Sequence, residues 1–163
     1  MSVPYNIKQV LVLRHKYPDG DGGQRKLRTG KYVAQGAHAC MKVFFDRGDV
    51  GYAWRCGNGT LVEAKDDPSN PGDLCLIIPL TPDEAEWVEG TFTKVVLSVK
   101  SEEDLMTLYG QAQAAGLPCA LIEDVGNTEF HGVTTRTAIS IGPARAEEID
   151  KITMHGTVET SLM

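Results

Sequence analysis

Lys31, Gln35, His38 and Lys42 recur at steps of four, three and four residues in a stretch that begins Thr29-Gly30-Lys31-Tyr32-Val33-Ala34-Gln35-Gly36-Ala37-His38-Ala39-Cys40. On a helix starting near Gly30 this spacing places all four on one stripe. The opposite arc carries Val33, Ala37, Cys40, Met41 and Phe44 and is expected to face a sheet. A polar stripe that runs back to the positive end of a helix can hold an anion or a developing negative charge. On spacing alone, a solvated helix face is the simpler account. Just upstream, Arg25, Lys26 and Arg28 join Lys31 in a basic cluster. Such a cluster is usually solvated surface, but here it adjoins the polar stripe.

The rest of the composition bounds what that stripe can serve. The chain has 163 residues, enough for one domain with a core; 42% are hydrophobic and 23% charged, an ordinary globular balance. A net charge of −6 argues against a sequence-blind nucleic-acid binder, although a local basic patch is compatible with it. The cysteines (Cys40, Cys56, Cys75, Cys119) and histidines (His15, His38, His131, His155) have no metal-ligand spacing, so neither metal nor other cofactor is expected. The start has no basic flank followed by an apolar run, and no apolar run could span a bilayer. A cytoplasmic protein with reduced thiols and no membrane partner is the expectation. The loop from His15 to Thr29 carries Asp19-Gly20-Asp21-Gly22-Gly23, but the Glu that a calcium loop needs at its twelfth position is Gly30, and the glycines miss the dinucleotide-binding order.

Elements that would position these groups follow from the pattern. Residues 7–14 end in a continuous apolar run, as in a strand covered on both faces. A helix is expected over 30–46. Between there and Leu80 the sequence reads poorly, with turns at Gly57-Asn58-Gly59 and Pro68-Ser69-Asn70-Pro71-Gly72; the apolar patch Leu74–Leu80 fits either packing beneath the first helix or an edge strand. Thr81-Pro82-Asp83-Glu84 is a helix start with a capping box, and Trp54 and Trp87 read as packing residues. Lys94–Val99 is a strand, Ser101 caps a helix that ends at Gly116, and Cys119–Ile122 is a further strand with a turn after Glu123-Asp124. Residues 133–141 alternate, with Thr135, Thr137, Ile139 and Ile141 on one face; Gly142-Pro143 should break that strand before a last helix over 144–152. This order implies an α/β sandwich, with a βαβ crossover over 94–124. Ligands in such sheets bind beyond the carboxyl ends of the strands, where Lys31 and Asp124 would both lie if the first and third strands are parallel.

With these pieces in place the chain resembles the peptidyl-tRNA hydrolase 2 family. Gly30-Lys31-Tyr32-Val33-Ala34-Gln35-Gly36-Ala37-His38-Ala39 is similar to its G-K-x-x-A-Q-x-x-H-A pattern. Gly116-Leu117-Pro118-Cys119-Ala120-Leu121-Ile122-Glu123-Asp124-Val125-Gly126-Asn127-Thr128 is similar to G-L-P-x-x-L-I-x-D-x-G-x-T, and Thr137-Ala138-Ile139-Ser140-Ile141-Gly142-Pro143 to T-x-x-x-I-G-P. The likeness covers residues 7–46 and 81–155. Departures are a longer loop before Gly30, loss of the first Lys of the family's G-K-G-K (here Arg28-Thr29-Gly30-Lys31), an unfamiliar insertion at about 47–80, and Met154–Glu159 in place of the usual final strand.

The resemblance implies a single domain over 1–163 with a mixed, mostly parallel four-stranded sheet and helices on both faces, a three-layer α/β/α arrangement. It implies hydrolysis of the ester joining a peptide to the 3′ ribose of tRNA, with peptidyl-tRNA as the partner; the lack of metal-ligand spacing makes a metal-independent reaction the expectation. Catalytic Lys31, Asp124, Thr128 and Thr137 would follow, with Gln35 and His38 as site neighbours; the adjoining basic cluster of Arg25, Lys26 and Arg28 is expected to bind substrate. Asp124 would act as base or orient water, Lys31 would bind the oxyanion or terminal phosphate, and the threonines would position water or ester. A Lys31–Asp124 ion pair that only holds two loops together is the structural alternative. A noncatalytic member of the same fold, binding tRNA or a protein, is the functional one. The oligomeric state, a homodimer included, is left open.

Overall fold

The computed structural model describes residues 6–55, 61–63 and 72–163. Two compact units are present: one formed by 1–43 with 80–163, the other by 44–79. In chain order the elements are β1 (Ile7–Arg14), β2 (Tyr17–Pro18), β3 (Gln24–Arg25), α1 (Thr29–Phe45), β4 (Asp49–Arg55), β5 (Leu61–Glu63), β6 (Asp73–Ile77), α2 (Pro82–Glu89), β7 (Lys94–Val99), α3 (Glu102–Ala114), β8 (Cys119–Asp124), β9 (Thr135–Arg145), α4 (Ala146–Thr153) and β10 (Ser161–Leu162).

The larger unit is an α/β fold on a mixed five-stranded sheet ordered β10-β7-β1-β9-β8. All eight residues of β1 are buried, as its unbroken apolar run requires of a central strand covered on both faces. Its two faces divide the core. Val10 and Val12 pack with Leu105, Leu108 and Ala112 of α3 and Ile149 and Ile152 of α4. Leu11 and Leu13 pack on the other side with Tyr32 and Ala39 of α1. β1 runs parallel to β7 and antiparallel to β9, and β9 runs antiparallel to β8. Hence β1, β7 and β8 point the same way, and their carboxyl ends form one rim.

Several expectations are corrected here. The sheet has five strands because Ser161–Leu162 pairs antiparallel with the outer edge of β7. It is mixed but not mostly parallel: only the β1–β7 pairing is parallel, because β9 follows β8 without a crossover helix and so returns antiparallel to it, and it lies between β8 and β1, antiparallel to both. Gly142-Pro143 does not end β9. Gly142 adopts a φ of 86°, and a register shift opposite Lys8 and Val10 lets the strand continue to Arg145. Helix α1 presents Tyr32, Gln35, Gly36, Ala39 and Val43 to the interior, whereas Val33 (67% exposed), Ala37 and Met41 face outward. The missing side chain of Gly36 and the small one of Ala39 let the helix seat against Leu11 on the arc that also carries Gln35.

Other local readings hold. Thr81 and Glu84 form a reciprocal capping box at α2, and Trp87 is buried with its indole N–H on the Thr93 carbonyl at 2.8 Å. Ser101 caps α3 through Asp104 N–H at 3.0 Å, and Gly116 follows its end at a φ of 68°. In the smaller unit the patch after Asp73 is a strand. β6 and β5 flank β4 antiparallel, with Val50 opposite Leu76 and Tyr52 opposite Leu74. The turns expected at Gly57-Asn58-Gly59 and Pro68-Ser69-Asn70-Pro71 lie outside the described residues.

Candidate active site

Lys31 occupies the first turn of α1, where a cation opposes the helix dipole and no acidic side chain compensates it. Its compensation comes from across the sheet. The Lys31 ammonium forms an ion pair with the Asp124 carboxylate at the carboxyl end of β8, with the two side chains 17% and 10% exposed. It also donates to Thr128 Oγ1 at 3.0 Å. Gln35, one helical turn on, donates from Nε2 to Asp124 Oδ2 at 2.8 Å, and the backbone N–H of Gly126 donates to Oδ1 at 2.8 Å. Gly126 has a φ of 86°, which folds the chain back under the carboxylate; a side chain there would meet the backbone of Gly132 and Val133.

Thr137 completes the chain of hydrogen bonds: its hydroxyl donates to Gln35 Oε1 at 2.5 Å and is fully buried. Simple alternation would put Thr137 on the face of Ile139, against α3. Instead the β8–β9 register shifts between Ile122 and Glu123, so that Ile122 faces Ala138 and Glu123 faces Arg136, leaving Thr137 as the extra residue of a bulge. The bulge turns Thr137 onto the α1 face, and the expected grouping of Thr135, Thr137, Ile139 and Ile141 on one face is corrected accordingly.

Burial pushes the Asp124 carboxyl up. The Lys31 hydrogen bond, the Gly126 N–H, the Lys31 charge and the Gln35 amide together outweigh it and hold the group below its ordinary value. Asp124 is therefore an ionised, fully oriented acceptor at neutral pH. The arrangement sets a carboxylate, an ammonium and a threonine hydroxyl around one point of the rim, a set able to orient water, receive a proton and stabilise an oxyanion. Among the described residues no group of His, Cys, Asp or Glu could hold a metal ion.

A family model described as peptidyl-tRNA hydrolase PTH2 matches residues 7–156. The chain belongs to this family. Among its curated relatives, each called peptidyl-tRNA hydrolase, the Methanocaldococcus jannaschii protein is 36% identical over 91% of this chain and 96% of its own length. That of Haloquadratum walsbyi is 40% identical over 90% and 95%, and that of Methanopyrus kandleri 34% identical over 90% and 92%.

In this peptidyl-tRNA hydrolase 2 family member the structure brings Lys31, Gln35, Asp124, Thr128 and Thr137 into one network. It does not bring His38 into that network; His38 lies on the exposed side of α1, although it shares the stripe with Gln35. Arg25 and Arg28 are bound to a residue that sequence reasoning missed. Glu129, immediately after Thr128, takes Arg28 Nε at 3.0 Å and Arg25 Nη1 at 3.8 Å, while Arg25 also donates to its carbonyl. The signal for it was a basic cluster in an acidic chain, which calls for a buried counter-acid. Lys26 is exposed, and with Lys16 it lies close enough to His15 to lower the imidazole pKa, after burial, the larger cause. The His15 ring stacks on Tyr32, with centroids 6.0 Å apart.

Proposed function

We propose that this chain hydrolyses the ester bond between a peptide, or an N-blocked aminoacyl group, and the 3′ ribose of tRNA, and does so without a metal. The observation that carries the reading is the Thr137–Gln35–Asp124–Lys31–Thr128 network at the carboxyl rim, in a chain that matches the family along residues 7–156. Asp124 accepts a proton from the attacking water. Its lowered pKa keeps it ionised and ready to accept, and charge stabilisation adds to its action as base. Lys31, at the positive end of α1, stands where the tetrahedral oxyanion develops. Thr128 orients water or ester, and Gln35 with Thr137 locks the Asp124 carboxylate in place.

Lys26, together with Arg25 and Arg28, supplies positive charge toward the tRNA phosphates, and His38 stands at the outer edge of the site. We read the whole chain as one hydrolase domain in which residues 47–80 are an insertion. No helix among the described residues is long and apolar enough to cross a membrane, which accords with a water-borne, cytoplasmic enzyme acting in translation. Release of peptide from peptidyl-tRNA, measured with and without a chelator, tests the reading. Equal release in both arms is expected; no release at all refutes the hydrolase, and loss restored by zinc refutes metal independence.

A further inference from the structure

Thr128, whose hydroxyl meets the Lys31 ammonium at 3.0 Å, sits exposed on the loop between β8 and β9. One hydrogen bond to a long lysine side chain does not fix a loop threonine, and a misplacement of about 1 Å can cost roughly 100-fold in rate. What fixes it lies on either side in the chain. Two residues before, the Gly126 N–H is bound to Asp124 at 2.8 Å, and the Gly126 carbonyl accepts from the Gly132 N–H at 3.0 Å. One residue after stands Glu129, its side chain only 9% exposed.

Glu129 is held by the segment that precedes α1. Arg28 Nε donates to its Oε1 at 3.0 Å, Arg25 Nη1 lies 3.8 Å from its Oε2, and Arg25 Nη2 donates to its backbone carbonyl. The next residue, Phe130, is buried, with the Tyr17 ring 5.1 Å away between centroids and the Arg25 guanidinium over its own ring at 5.5 Å. Two cations on one carboxylate sheltered from water make a firmer anchor than a single surface pair. A carboxylate between two arginines also weakens whatever those arginines do for phosphate. That cost is offset only if Glu129 serves something besides tRNA affinity.

We propose that Glu129 is a positioning residue for ester hydrolysis: clamped by Arg25 and Arg28, it holds the adjoining Thr128 hydroxyl on Lys31 and touches no reacting atom itself. The inference rests on the hydrolase reading and adds how an exposed loop supplies an ordered group. Arg28 serves both ends of the substrate path. Its side chain is 79% exposed, and beyond Nε its guanidinium has no hydrogen bond among the described residues, so it can meet a phosphate while it holds Glu129.

The test is the kinetics of peptide release from peptidyl-tRNA, with kcat read at saturating substrate so that affinity does not enter it. Glu129→Gln, nearly isosteric, should lower kcat about tenfold while KM stays level or falls, because the arginines lose the charge that competed with phosphate. Arg28→Ala, at an exposed position safe for folding, should also lower kcat, and it carries the test should Glu129→Gln lose the native urea midpoint. In a Thr128→Val background neither change should lower kcat further by more than about twofold, since the group they position is already gone. Full multiplicative losses in that background overturn the proposal, because the clamp would then act elsewhere. A raised KM at unchanged kcat overturns it too, as does activity that merely follows the folded fraction. No release by the unaltered protein would instead refute the hydrolase reading and, with it, any positioning role.

Discussion

Two lysine–aspartate pairs stand at opposite ends of the same sheet, alike in residue types and burial and different in what surrounds them. Lys8, at the amino end of β1, meets Asp150 of α4 at 2.5 Å, with side chains 11% and 27% exposed. Lys31 meets Asp124 at the carboxyl rim with similar burial. Lys8–Asp150 joins a strand to the helix packed on it, and among the described residues neither charge has a further side-chain hydrogen bond. Lys31–Asp124 is surrounded by Gln35, Gly126 N–H and Thr128, and Gln35 is itself held by Thr137. A pair alone is a fastener. A pair whose carboxylate is held by two further donors and whose ammonium also reaches a threonine hydroxyl is preorganised, and preorganised charge is what catalysis of ester hydrolysis requires.

The sharpest way to break this contrast is to make the same isosteric change in both pairs. Asp124→Asn should lower turnover by roughly two to four orders of magnitude, the scale of general-base loss, with little change in tRNA affinity. Asp150→Asn should leave turnover per folded molecule unchanged and shift the urea midpoint by about 1 kcal/mol of stability. Comparable turnover in the two variants would erase the distinction and favour a binding protein.

Lys31→Met comes next, with turnover lower by about 100-fold if Lys31 faces the oxyanion. It carries a pH signature. Because the Asp124 pKa is lowered in the folded protein, its stabilising contribution is present above the unfolded value and is lost as pH falls through the lower, folded one. The acid limb of activity should therefore lie below the ordinary carboxylate range. Removing Lys31 takes away two of the lowering influences and leaves burial, so the limb should move upward in pH. A limb that stays put would show that Lys31 does not set the charge state of Asp124.

Thr137→Val keeps shape but leaves Gln35 Oε1 without its buried donor. It should cost about 1–3 kcal/mol in urea unfolding and lower turnover about tenfold as the Asp124 orientation loosens. The smallest effect is Lys26→Ala. One lost phosphate contact should flatten the slope of log affinity for tRNA against log salt by roughly 0.7 to 0.9. An unchanged slope would remove Lys26 from the nucleotide path.

Much of this was legible along the chain. The apolar run of β1, the caps of α2 and α3, and the Gly30-Lys31 and Asp124-x-Gly126 spacings are local patterns, and local patterns are set by backbone propensity, capping and periodicity within a few residues. They put Lys31 and Gln35 on one helix stripe, and Lys31 and Asp124 on a common rim on the condition that the first and third strands run parallel. Tertiary structure decided the rest, because each remaining feature depends on a partner distant in sequence. The bulge that turns Thr137 toward Gln35 is a register choice between β8 and β9, and a one-residue slip reverses a side chain's face without altering local sequence. The seating of α1 was chosen by what Gly36 and Ala39 could approach, not by the hydrophobicity of Val33 or Met41, which remain exposed. Glu129 acquired its role only when folding brought Arg25 and Arg28 to it across a hundred residues of chain. Sequence alone determined which groups were available for chemistry; long-range register and packing determined which of them meet.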